Sequence, residues 1–239
     1  PMPILLFSNS TMAGAPYLAW TRPWFDPFLA GVDEILFLPY AAVDISYGEY
    51  TDRVNRGLDT DRVVGIHTIE DKHAAIARAG CIMVGGGNTF SLLCRCQELG
   101  LLDPIREAVR SGAKYAGWSA GANLACPTIK TTNDMPIEAP QNLNGLSLIP
   151  FQINPHFIAE APAAHAGESR VQRIKEFLVR NPDLPVLGMA VGRLAGTLEL
   201  ARLGVDVPAG RNSVVGFGQE FAQPRLVPRN PAIVVVPAA

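Results

Sequence analysis

The chain has 239 residues, 48% of them hydrophobic and 18% charged, with a formal net charge of −2. That is ample sequence for a buried core, and the near-neutral charge gives no electrostatic footing for nucleic acid or an anionic membrane surface. No apolar run is long enough to span a bilayer, and four cysteines without paired metal-ligand spacing read as free thiols, not as a zinc site or a disulfide framework.

The opening Pro1-Met2-Pro3-Ile4-Leu5-Leu6-Phe7 lacks a basic region and a small-residue cleavage site, so it reads as a first strand over Ile4–Phe7 and the expected location is cytoplasmic. Further β-rich runs follow at Glu34–Leu38, Val63–Ile66, Cys81–Val84, Tyr115–Trp118 and Pro185–Met189. Between them, Thr89–Leu99 places Leu92, Leu93, Cys96 and Leu99 at helical spacing. Asp103-Pro104 reads as a helix start with Asp103 as cap, and Gly112 as its end. Glu168–Arg180 carries Val171, Ile174, Phe177 and Leu178 on one stripe. Strands this apolar, alternating with helices, predict an α/β fold with a mostly parallel sheet and helices on both faces. No repeat or linker marks a boundary, so residues 1–239 are expected to form one domain. From about residue 191 the composition shifts to Gly, Ala, Val, Arg and Pro, and only Ile233–Val236 reads as a strand there.

Three features carry chemistry. Val84-Gly85-Gly86-Gly87-Asn88-Thr89-Phe90 ends a strand in three glycines, a loop that presents backbone N–H groups. It lacks the Gly-Lys-Ser/Thr of a Walker loop and, at Phe90, the third glycine of a dinucleotide fingerprint. Gly117-Trp118-Ser119-Ala120-Gly121 has the G-x-S-x-G form of a nucleophile elbow, between a predicted strand and a small-residue helix. A serine nucleophile needs a base. Of the four histidines, His67 and His73 read as surface residues and His165 as part of a loop. His156 follows Pro155 at the end of a strand-like run, which fixes its backbone. With Ser119 as nucleophile and His156 as base, the glycine loop becomes an oxyanion donor, Gly87 N–H acting beside Ala120 N–H.

At these residues the chain resembles the peptidase E family, aspartyl dipeptidases of the serine type on a class I glutaminase-like fold. The matching stretches are Ser8–Thr11, Val84–Phe90, Gly117–Pro127 (GWSAGANLACP), Thr131–Ile137, Gln152–Phe157 (QINPHF) and Gly167–Ile174, within residues 3 to about 190. The resemblance implies Ser119 and His156 as the catalytic pair and short peptides with an N-terminal aspartate as substrates. It implies no metal or organic cofactor, and it leaves a homodimer open. It matches Arg170 to a family arginine suited to gripping the substrate carboxylate with two parallel hydrogen bonds. Asn88 and Asp134 are further candidates for substrate contact or for shaping the pocket.

In one place the pattern breaks. The family completes its triad with a glutamate in a Gly-apolar-Pro-Glu-Gly stretch, and matching that to Gly188-Met189-Ala190-Val191-Gly192 puts Val191 at the acid position. Valine cannot accept a hydrogen bond from an imidazole. The expectation is therefore a Ser-His peptidase of reduced rate. A peptide-binding relative that hardly cleaves, and another acyl hydrolase of the same fold such as a cyanophycinase-like enzyme, are the alternatives. Glu160, Glu168 and Glu199 are the carboxylates that the sequence offers as stand-ins.

Overall fold

The computed structural model describes residues 3–158 and 167–191, and the backbone of 194–196, 213–215 and 232–234. Five parallel strands, β1 (Ile4–Phe7), β2 (Ile35–Leu38), β3 (Val63–Gly65), β4 (Cys81–Val84) and β5 (Lys114–Trp118), form most of one sheet. Its order is β3-β2-β4-β5-β1, extended past β1 by a short antiparallel strand at Leu194–Gly196. A second, four-stranded parallel sheet includes β6 (Gln152–Pro155) and β7 (Val186–Met189), which pair directly. After β8 at 194–196, its other members are β9 (Ser213–Val215) and β10 (Ala232–Val234).

The strands are apolar throughout because both faces of the main sheet are covered. Alternate residues sort into two cores. Ile4, Leu6, Leu36, Leu38, Ile82 and Val84 pack on one side with Ile76, Leu92, Leu93, Ile105, Val109 and Leu124. Those partners come from α3 (Lys72–Arg78), α4 (Thr89–Glu98), α5 (Leu102–Arg110) and α6 (Ala120–Leu124). Leu5, Phe7, Ile35, Phe37 and Trp118 face the other core, against Phe25 of α1 (Arg22–Phe28) and Tyr50, Val54 and Leu58 of α2 (Tyr47–Leu58). A seventh helix, α7 (Arg170–Arg180), lays Ile174 and Leu178 against Val186 and Phe157.

The ends of the helices depart from the sequence reading in two places. Asp103 is not the cap of α5: Leu101 is, and Asp103 sits in the first turn, where its carboxylate pairs with Arg106. A charge near the helix N-terminus is favourable without being the cap. Helix α7 starts at Arg170, two residues later than expected, because Ser169 and Gln172 form a reciprocal capping box. Gly112 does follow the end of α5, at φ 116°. All four cysteines are buried free thiols. His67 is a correction too. It is half-buried against the edge of Tyr47, and its Nδ1 is buried with no hydrogen-bond partner. His165, Glu160 and Glu199 lie outside the described residues.

Candidate active site

The loops that follow β1, β2, β4, β5 and β6 converge at the carboxyl ends of the strands, the usual location of ligand sites in open α/β sheets. Strand β5 ends at Trp118 and α6 begins at Ala120, so Ser119 alone makes the turn, at φ 51° and ψ −108°. A non-glycine residue held there costs about 1–3 kcal/mol, which the surroundings must supply. They do so through two backbone bonds: Ser119 N–H donates to Phe7 C=O (3.0 Å), and Ser119 C=O accepts from Asn123 N–H (3.0 Å). The flanking glycines make room. A Cβ on Gly117 would strike the backbone of Gly121, and one on Gly121 would strike the carbonyl of Val84.

His156 is brought to this serine from the second sheet. Its Nε2 lies 3.1 Å from Ser119 Oγ, a hydrogen-bond distance. His156 also has positive φ, 52°, and its backbone is pinned by buried Ser8. Ser8 Oγ accepts from His156 N–H (2.8 Å) and donates to Met189 C=O (2.7 Å). Phe157 N–H donates to the same carbonyl (3.1 Å). One serine hydroxyl thus ties the ends of β1, β6 and β7 together. Partial burial pulls the imidazole below its ordinary value of 6.5; the Asp134 carboxylate opposes that shift and Arg170 adds to it. Among the described residues, nothing forms a hydrogen bond with His156 Nδ1.

The glycine loop is fixed with similar economy. Tyr50 OH donates to Gly86 C=O (2.8 Å) while accepting from Trp118 Nε1 (3.2 Å) and from Tyr17 OH (3.2 Å). An indole N–H only donates, so the single phenolic proton of Tyr50 is free to serve the glycine carbonyl. The peptide between Gly86 and Gly87 is trans, so the Gly87 N–H points away from Tyr50. On its far side the loop is anchored by Asn88 N–H to Ala41 C=O (2.8 Å). Gly87 has φ 139°, and a Cβ there would collide with the carbonyl of Ala41, so only glycine fits. Among the described residues, neither Gly87 N–H nor Ala120 N–H has an acceptor.

Ser119, His156, Gly86 and Gly87 line a cavity of about 710 Å³, together with Asn88, Asp134, Tyr17, Tyr50 and Arg53. That size suits a small-molecule ligand (roughly 300–1,000 Å³). Two of the expected contact residues have structural duties. Asn88 caps α4, its Oδ1 accepting from Phe90 N–H (3.0 Å) and Ser91 N–H (3.1 Å). Asp134 Oδ2 accepts from Thr89 N–H (2.8 Å) and from the Thr132 hydroxyl (3.0 Å). Arg170 is half-buried at the first position of α7 and donates to Asn133 Oδ1. Burial, then Arg173, lowers its pKa. No carboxylate pairs with it among the described residues, and it is not one of the cavity-lining side chains. Val191 leaves β7 beside the strand end that carries His156 and is 48% exposed. Glu168, the one described stand-in carboxylate, pairs with Arg173 at 3.5 Å. Ser8, Tyr17, Tyr50 and Arg53 are additions that sequence reasoning missed. Only Ser8 lies in a stretch singled out there, and Tyr50 and Arg53 sit in a helix whose pattern speaks of packing alone.

Comparison with known proteins gives the family. The model of Peptidase family S51 matches residues 4–194. Peptidase E of Shigella flexneri serotype 5b is 49% identical over 193 residues, covering 80% of this chain and 84% of that protein. Peptidase E of Escherichia coli O6:K15:H31 is similar to the same extent. Among solved structures, a peptidase E candidate from Listeria monocytogenes EGD-e superposes with a TM-score of 0.59. It is 21% identical and the match covers 81% of this chain and 93% of that one, a likeness of fold. These matches place the chain in peptidase family S51, with peptidase E among its relatives.

Proposed function

We propose that this peptidase is a serine dipeptidase that releases an N-terminal aspartate from short peptides. The observation that carries the reading is Ser119 in a strained turn with its Oγ 3.1 Å from His156 Nε2, at the wall of a cavity. Ser119 Oγ attacks the scissile carbonyl carbon as His156 Nε2 takes its proton. The carbonyl oxygen, now an anion, accepts from Gly87 N–H and Ala120 N–H. When the C–N bond breaks, the imidazolium returns the proton to the leaving amine. Water, deprotonated by the same imidazole, then hydrolyses the aspartyl ester and frees Ser119.

Arg170 is assigned to the aspartate side chain, since its half-buried guanidinium has no anionic partner among the described residues. Val191 is assigned the position of the family's acid, which leaves His156 oriented by its pinned backbone and by the field of Asp134. The rate is accordingly expected to be low. That no described residue hydrogen-bonds His156 Nδ1 also favours the second reading, a relative that binds aspartyl peptides and barely cleaves them.

Leucine release from Asp-Leu and from Asn-Leu tests the substrate claim. The neutral amide leaves a cation unpaired in a desolvated site, so Asn-Leu should be slower by about 10²-fold or more. Arg170→Gln should remove most of that difference. Equal rates on both peptides in the unaltered protein would overturn the assignment of Arg170. Binding of Asp-Leu without leucine release would select the second reading.

A further inference from the structure

A dipeptide with N-terminal aspartate brings two carboxylates to the site, one on the side chain and one at its C-terminus. Arg170 answers one of them. Among the described residues that line the cavity, the only Lys or Arg is Arg53. It comes from α2, whereas Arg170 comes from α7, so the two guanidinium groups are held by separate elements. Arg53 stands three residues after Tyr50 on α2, which puts it on the same side of the helix as the residue that fixes the glycine loop. Its Cζ lies 4.2 Å from the centroid of the Tyr17 ring. That contact is a cation–π pairing, which restrains a long side chain without consuming its N–H donors. No carboxylate lies within ion-pair distance of Arg53 among the described residues, although other arginines on the surface have found one.

The Tyr17 platform is itself part of the active-site framework. Tyr17 OH donates to Tyr50 OH, and through it the ring is coupled to Gly86 and Trp118. An anion on Arg53 is therefore held in fixed relation to the Gly86–Ser119 region, as a subsite must be. The planar fork of Arg53 matches a carboxylate, which it can grip with two parallel hydrogen bonds.

Building on the peptidase reading, we propose that Arg53, seated on Tyr17, binds the free C-terminal carboxylate of the substrate and so restricts the enzyme to very short peptides. A longer peptide presents an amide at that point, which accepts from the guanidinium but brings no charge. The subsite thus measures length, while Arg170 reads the first residue.

Calorimetric binding to the Ser119→Ala protein tests this without requiring turnover. The ligands are Asp-Leu, its C-terminal amide and Asn-Leu, each titrated into Ser119→Ala alone and combined with Arg53→Gln or Arg53→Lys. Asp-Leu should bind Ser119→Ala about tenfold or more tightly than the amide. Arg53→Gln should weaken Asp-Leu to the level of the amide and leave the amide unchanged, and Arg53→Lys should fall between. Arg53→Gln affecting both ligands alike, affecting neither, or instead erasing the preference for Asp-Leu over Asn-Leu would overturn the proposal, as would the absence of binding by either peptide. The outcome is separable from the function reading: an intact binding cycle in a protein whose unaltered form releases no leucine would defeat the peptidase chemistry and spare the subsite. Leucine release with no coupling between Arg53 and the C-terminus would do the reverse.

Discussion

On the proposed assignment, Val191 puts an apolar side chain where a glutamate would accept a hydrogen bond from the imidazole and stabilise its charged form. The loss of such an acid costs about 10⁴-fold in turnover in triad enzymes. Val191→Glu is therefore expected to raise kcat by about tenfold or more, short of the full factor because the new carboxylate needs hydrogen bonds of its own. The pH profile gives an independent reading. His156 must be neutral to act as base, and burial holds its pKa below 6.5, so the acid limb of kcat/KM should lie below that value. A carboxylate beside the ring favours the imidazolium and raises its pKa, so the limb should move to higher pH in Val191→Glu. A faster enzyme with an unmoved limb would show that the gain came from somewhere other than His156. No gain in a folded protein would mean either that another group already holds His156 or that Val191 lies away from the imidazole.

At the scale of the element, the loop after β4 is rigid because both of its edges are bonded. Tyr50 holds the Gly86 carbonyl and Ala41 holds the Asn88 N–H. Tyr50→Phe removes the donor to Gly86 and also the acceptor of the Trp118 indole, itself fully buried. Unsatisfied buried groups cost about 1–3 kcal/mol each, so the melting temperature should fall. If Gly87 N–H serves the oxyanion, kcat should fall by about tenfold or more with KM little changed, since the donor acts in the transition state. A loss confined to stability would remove Gly87 from that role. The strands of the main sheet up to β5 were readable, whereas α1, α2 and α3 were not read. The strands β1 and β4 begin and end where the sequence puts them, because their apolar runs stop at polar or glycine residues. The start of α5 was misread because Asp-Pro resembles a cap, and tertiary packing began the helix two residues sooner than the capping rule predicts.

Across the whole molecule, the candidate active site is assembled by the contact between two sheets. Ser119 comes from one and His156 from the other, and Ser8 joins them. The two residues that meet there, Ser119 and His156, were legible because each sits in a local signature, a G-x-S-x-G turn and a Pro-fixed strand end. Tyr50, Arg53 and Ser8 were not, since their roles depend on what the fold brings opposite them. The same distinction explains the reading of His67 as a surface residue: nothing nearby in sequence announces that Tyr47 covers it. The account rests on Ser119 and His156 acting as one chemical unit, and the turnover of Asp-Leu by Ser119→Ala, His156→Ala and the double variant tests this most directly. Each single variant should lose about 10³-fold or more relative to the unaltered protein, and the double variant should be no slower than the slower single one, because groups that act together do not lose additively. Leucine release at the same rate with and without Ser119, or losses that multiply in the double variant, would contradict it.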